Sequence, residues 1–228
     1  MKLLQMEHIC KSFDGVPVLK DVSFSVEKGE VHALLGENGA GKSTLMNVLT
    51  GICPKDSGTV AFEGQVCDSM TIHKSEKMGI AFVHQELNLF NDLKVYENIF
   101  LAKEYTNKFG KLDKKRMRKE AGELFERLGV KIDPDAMAGD LKTSQKQLLE
   151  IAKALFFHAK LLILDEPTTS LNNEEVAHFF EIIRRLKKDG ASFIFISHKM
   201  PEIFALSDRY TVFRNGEYVN SGKIAETT

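Results

Sequence analysis

Gly36-Glu37-Asn38-Gly39-Ala40-Gly41-Lys42-Ser43-Thr44 fits the pattern G-x-x-x-x-G-K-[ST], and its flanks give that pattern the setting it needs. Before it, Val31-His32-Ala33-Leu34-Leu35 is short, apolar and strand-like. After it, Thr44–Gly51 has helical apolar spacing and a glycine stop. Between a strand and a helix, glycines let backbone N–H groups curl around phosphate oxygens at the positive end of the helix dipole. Gly36, Asn38, Gly39, Ala40, Gly41 and Thr44 would then form the cradle. Lys42 would neutralise the β- and γ-phosphates, and the Ser43 hydroxyl would ligate Mg²⁺. An ordinary glycine turn is the competing reading, and the flanks weigh against it. The expectation is a nucleoside triphosphate site.

Composition narrows the field. A chain of 228 residues buries a full core as one domain, with or without a subdomain. Lys and Arg total 31 against 32 Asp and Glu, a net charge of −1 without a long single-sign block, so a nucleic-acid partner gains no electrostatic support. Cys10, Cys53 and Cys67 are odd in number and lack C-x-x-C spacing, as expected of indifferent thiols in a reducing compartment. No apolar run approaches the ~20 residues that span a bilayer. The segment Met1–His8 is too short and too charged for a secretory signal. A soluble protein is expected, with any membrane link made through a partner.

Along the chain, Leu3–Ile9, Val22–Val26 and Val31–Leu35 read as strands, with Asp14-Gly15 and Lys28-Gly29 as turn signals. Gly58–Phe62 followed by Glu63-Gly64 suggests a hairpin, and Ile80–Val83 another strand. From Asn88 the period changes. Leu93–Leu101 and Asp113–Leu128 have helical spacing, as a helical insertion would. Ser144–Phe157 and Asn173–Lys188 read as helices, and Leu161–Leu164 and Ser192–Ile196 as buried strands. Tyr210–Phe213, Asn215-Gly216 and Tyr218–Asn220 make a hairpin signal. The sum is an α/β fold with a mostly parallel sheet core, an antiparallel β subdomain and a helical subdomain at about 88–157, within one domain spanning 1–228.

Leu161-Leu162-Ile163-Leu164-Asp165-Glu166-Pro167 is an apolar strand ending in two carboxylates. A buried parallel strand delivers its last residues to the sheet edge where a phosphate loop also sits. There Asp165 would hold Mg²⁺, and Glu166 would polarise the attacking water. An acidic turn is the plain alternative, weakened by the phosphate loop. Ser197-His198 follows Phe193–Ile196, so His198 would reach a γ-phosphate oxygen, although a lone His is more often structural. Gln85 ends the strand before the helical insertion and could touch Mg²⁺ or water; taken alone, an exposed Gln carries little weight.

Taken together, these residues resemble the ATP-binding cassette family over nearly the whole chain. Gly36–Thr44, His84-Gln85-Glu86-Leu87-Asn88-Leu89, Glu97–Leu101, Glu150–Leu155, Ile196–Met200 and Val212–Gly216 look like the N-terminal cassette of bacterial monosaccharide importers, whose ATPase subunits carry two cassettes. A chain of 228 residues looks like half of such a subunit. The resemblance implies ATP and Mg²⁺ as ligands, with Phe13 stacking on adenine, Ser43, Gln85 and Asp165 at the metal, and Glu166, His198 and Gln85 in catalysis. It implies ATP-dependent pairing with a second cassette, either the other half of the subunit or another copy, and contact with membrane permease subunits. Through those permeases it implies an indirect link to a periplasmic or surface sugar-binding protein, at the cytoplasmic face of a bacterial membrane. A nucleoside, lipid or peptide importer, or a cassette outside transport, is the alternative.

The family's L-S-G-G-Q motif, which meets the partner's ATP, is replaced here by Leu141-Lys142-Thr143-Ser144-Gln145. Lys142 stands where the phosphate-facing serine is expected, and both glycines are gone. Asn172 also replaces the usual aspartate after Ser170-Leu171. One impaired ATP site is the expectation.

Overall fold

Strand propensity and turn chemistry build the N-terminal part. In the computed structural model, which describes residues 1–86, 88–108 and 110–227, β1 (Lys2–Phe13) and β2 (Val16–Glu27) pair antiparallel across Asp14-Gly15. Both turn residues have positive φ, at 50° and 81°, as a tight hairpin requires. β1 and β2 run several residues beyond the alternation read from the sequence. Their pairing slips register repeatedly, and His8 sits at φ 56°, so bulges interrupt the in–out pattern without ending the strands.

The chain continues through β3 (Val31–Leu35), α1 (Lys42–Thr50), β4 (Ser57–Phe62), β5 (Gln65–Cys67), α2 (Ile72–Met78) and β6 (Ile80–Val83). Helices α3 (Val95–Phe100), α4 (Lys114–Leu128) and α5 (Thr143–Phe156) follow. Then come β7 (Leu161–Asp165), α6 (Asn173–Lys188), β8 (Ser192–Ile196), α7 (Met200–Leu206), β9 (Arg209–Arg214) and β10 (Glu217–Lys223). One sheet has the order β2-β1-β4-β5, and its described pairings are antiparallel. The other has the order β10-β9-β3-β8-β7-β6; β3 runs parallel to β8 and β9, β8 parallel to β7, and β10 antiparallel to β9. No helix of the described residues is long and apolar enough to cross a membrane.

The chain divides into two units. The first comprises Met1–Phe82, Ala159–Glu166 and Arg184–Thr228. Its core joins both sheets around α1: Leu4, Met6, Val26 and Phe62 pack in one cluster with Leu45, Leu49, Leu34, Ile163 and Ile194. The second comprises Val83–His158 and Pro167–Ile183. Here α3, α4 and α5 bury Ile99, Phe100, Phe125, Leu149 and Ile151, and the Phe100 and Phe156 rings meet edge-on at 4.7 Å. Cys10, Cys53 and Cys67 are free thiols.

Candidate functional site

Parallel pairing sets the level at which three strands end. Leu34 pairs with Ile196, and Ile196 pairs in turn with Asp165. The phosphate loop, the acidic pair and Ser197-His198 therefore leave the sheet at one carboxyl edge, the place where parallel sheets bind ligands. Gly36, Gly39 and Gly41 all have positive φ, at 149°, 81° and 97°. Two of them are also crowded. A Cβ at Gly36 would lie 2.4 Å from the Phe213 carbonyl oxygen, and one at Gly41 would lie 2.7 Å from Leu19 Cδ2. Gly41 caps α1 with backbone alone, and the first turn of that helix holds no acidic side chain. Its amides thus keep their positive end open to an anion.

Lys42 Nζ donates to the carbonyls of Gly36 at 2.6 Å and Glu37 at 3.0 Å, folding the amine back over the loop. Burial pushes its pKa below the ordinary lysine value, while the carboxylates of Glu166 and then Asp165 oppose that shift. Both acidic residues thus act electrostatically on the phosphate-loop lysine. Asp165 is the last residue of β7. Glu166 has left the strand with φ 48°, one of eight non-glycine residues with positive φ among those described; its N–H donates to Ile196 O at 2.9 Å. Its Oε1 lies 2.9 Å from Nδ1 of His198, a ring that is 70% exposed.

The first unit therefore brings Lys42, Asp165, Glu166 and His198 together, with Ser43 exposed on the first turn of α1. Phe13 lies in the same unit as the last residue of β1, its ring 46% exposed. Gln85 is an exposed loop residue after β6, in the second unit. Leu87, of the same stretch, lies outside the described residues. Leu141–Gln145 also belongs to the second unit: Lys142 is the N-cap of α5, and Gln145 Oε1 accepts from Lys142 N at 3.1 Å. Ser144 Oγ donates to Glu175 Oε1 at 2.7 Å. Glu175 in turn accepts from Asn172 N and donates its own N–H to Asn172 Oδ1. This capping box escaped the reading of the motif, although Asn172-x-x-Glu175 carries its signature. A cavity of about 170 Å³ beside Ser144 and Gln145 has an apolar wall of Leu148, Leu171 and Phe179. A larger concavity of the first unit, about 250 Å³ and lined by Gln5, Ser25, His32 and Arg209 among others, holds none of the expected site residues.

The donor set suits a small hard cation bound jointly with phosphates. A hydroxyl and a carboxylate offer oxygen only, and the described residues hold no cluster of three or more His, Cys, Asp or Glu that would cage an ion by themselves.

The ABC transporter family profile matches residues 19–169. The chain belongs to that family. Curated proteins similar to this ABC transporter chain include the ribose import ATP-binding protein RbsA of Halalkalibacterium halodurans, 49% identical over 99% of the chain and 46% of the relative. RbsA of Bacillus licheniformis is 48% identical over 98% of the chain and 45% of the relative. RbsA 2 of Burkholderia cenocepacia is 47% identical over 99% and 44%. The chain spans about half the length of these relatives. Its fold matches the solved structure of a nucleotide-free ATP-binding cassette from an ABC transporter, with TM-score 0.88, 28% identity and coverage of 98% of this chain and 92% of that one. It also matches an ATP-binding cassette of an ABC transporter in its ADP conformation, with TM-score 0.85, 30% identity and coverage of 98% and 91%.

Proposed function

We propose that this ABC transporter chain binds and hydrolyses ATP, and that it powers import of a monosaccharide through membrane permease subunits. The observation that supports this most is the shared carboxyl edge, where Lys42 feels the charges of Glu166 and Asp165 and Glu166 bonds His198. Similarity to three ribose import proteins supports the sugar. On this reading, residues 1–228 form one cassette domain with a helical subdomain at about 88–157.

Lys42 leaves the carbonyls of Gly36 and Glu37 to bond phosphate oxygens, joined by the amides of Gly36–Thr44. Ser43 and Asp165 would hold Mg²⁺, which when bound would neutralise phosphate charge. Glu166 orients the attacking water and draws on its proton. His198 steadies that carboxylate and reaches toward the transferred phosphate. Phe13 receives the adenine ring.

A second cassette completes the assembly by closing on the nucleotide. In this chain Leu141-Lys142-Thr143-Ser144-Gln145 would face the partner's ATP with a lysine where a hydroxyl is expected. Two copies of the chain would place that segment over both nucleotides, so the chain alone turns over slowly. The test is ATP binding by titration calorimetry with Mg²⁺, alongside steady-state hydrolysis. Glu166→Gln should keep nucleotide affinity and lose about 10²- to 10⁴-fold in turnover. Absence of nucleotide binding in the unsubstituted chain, or equal turnover in the variant, would remove this function.

A further inference from the structure

Phe13 is a half-exposed aromatic residue at the end of a strand, and the three residues before it are all bonded to Asp56, two of them to its carboxylate. Asp56 N donates to Cys10 O at 2.9 Å. Lys11 Nζ donates to Asp56 Oδ1 at 2.9 Å, and Ser12 N donates to Asp56 Oδ2 at 2.6 Å. Lys11 is unusual for a lysine: its side chain is only 10% exposed, and its amine stands 5.3 Å from the centroid of the Phe13 ring. A cation held near an aromatic ring is attracted by the ring quadrupole. An ammonium this buried needs a counter-charge, and Asp56 supplies it. Those contacts hold the Asp56 carboxyl below its ordinary value, chiefly through the Lys11 bond and then the Ser12 N–H.

Asp56 also has a connection in the other direction. It lies on the loop leaving α1, the helix whose first residue is Lys42. That loop is stitched to the helix by Ile52 N and Cys53 N, which donate to Asn47 O at 2.9 and 3.2 Å. One carboxylate thus couples the aromatic platform to the helix that begins at the phosphate loop.

We propose that Lys11 and Asp56 are positioning residues for the nucleobase: they hold the Phe13 ring in one orientation and at a fixed span from the phosphate subsite. The proposal rests on the reading that Phe13 stacks on adenine. Binding energy from a distant base contributes only when its span from the phosphate tail is preorganised.

The test compares Mg²⁺-ATP with Mg²⁺-tripolyphosphate, which has the phosphate tail but no base, by titration calorimetry on the full chain. Phe13→Ala should weaken ATP by about 5- to 150-fold, the value of one base stack, and leave tripolyphosphate unchanged. Lys11→Met and Asp56→Asn should each weaken ATP by at least about threefold with tripolyphosphate unchanged, and Lys11→Arg should restore ATP affinity. Using two separate variants keeps the test decisive if one of them folds poorly, as a thermal melt would show. ATP affinity within twofold of the unsubstituted chain in both Lys11→Met and Asp56→Asn overturns the proposal. So does an equal loss for both ligands, the mark of a merely structural role. Unchanged ATP affinity in Phe13→Ala overturns the base-stacking reading itself, and failure of the unsubstituted chain to bind either ligand overturns the nucleotide function.

Discussion

At the scale of single residues, the backbone of residues 36–44 was legible because its demands are local: a glycine stands at each position with positive φ. The packing reason for Gly41 lies in Val18 and Leu19, more than twenty residues away, and no spacing rule reveals it. A matched pair of substitutions separates the two contributions. Gly190 has almost the same φ, 99° against 97°, but a Cβ there would meet no atom within 4 Å. Gly190→Ala should therefore lose only the backbone term, about 1–3 kcal/mol. Gly41→Ala should lose more, and nucleotide affinity with it. Urea unfolding of the two variants, with calorimetry for the ligand, gives the comparison; equal losses would refute the steric account. The contact between Glu166 and His198 was legible only as two strand ends, since pairing register brings them together and a linear pattern does not show register.

Among the elements, α2 was missed. Its seven residues, Ile72-His73-Lys74-Ser75-Glu76-Lys77-Met78, carry no apolar period, so hydrophobic spacing passes over them. Its ends were nevertheless marked: Thr71 Oγ1 accepts from Lys74 N at 3.2 Å, and Gly79 closes the helix at φ 87°. Thr71→Ala should destabilise the fold by about 1 kcal/mol in urea unfolding, as loss of an N-cap typically does. Helix α5 poses the opposite problem. Glu150 Oε1 is buried without a hydrogen-bond partner, and burial raises its pKa although Lys153 acts against this. A raised carboxyl pKa means that the ionised group destabilises the folded state above that pKa, and that protonation relieves the penalty as pH falls. Glu150→Gln should accordingly raise the melting temperature at pH 7–8. The advantage should shrink as pH is lowered toward the raised pKa; a constant advantage across that range would show that charge is not the cause.

For the whole molecule, several carboxylates contribute to stability against acid. Lys11 beside Asp56, Lys94 beside Asp135, and the Ser144 hydroxyl on Glu175 each hold a carboxyl below its ordinary value, 3.8 for Asp and 4.5 for Glu. Stability from such groups is fully present above those values and drains away as pH falls through the depressed ones. The urea midpoint should thus fall steeply below about pH 4, and Ser144→Ala should soften that fall. The α/β character and the run of strand ends were readable from periodicity. The company each segment keeps was not: residues 167–183 share a unit with Val83–His158, an association made by packing across the sequence. The left-handed backbone at Glu166 has a bearing on endurance as well as chemistry. Glycine would relieve that strain but loosen the unfolded chain and remove the carboxylate facing Lys42 and His198, so Glu166→Gly should leave the melting temperature little changed while, on the proposed function, turning over far less ATP. At this one peptide unit, an unstrained backbone and the proposed catalysis make opposite demands.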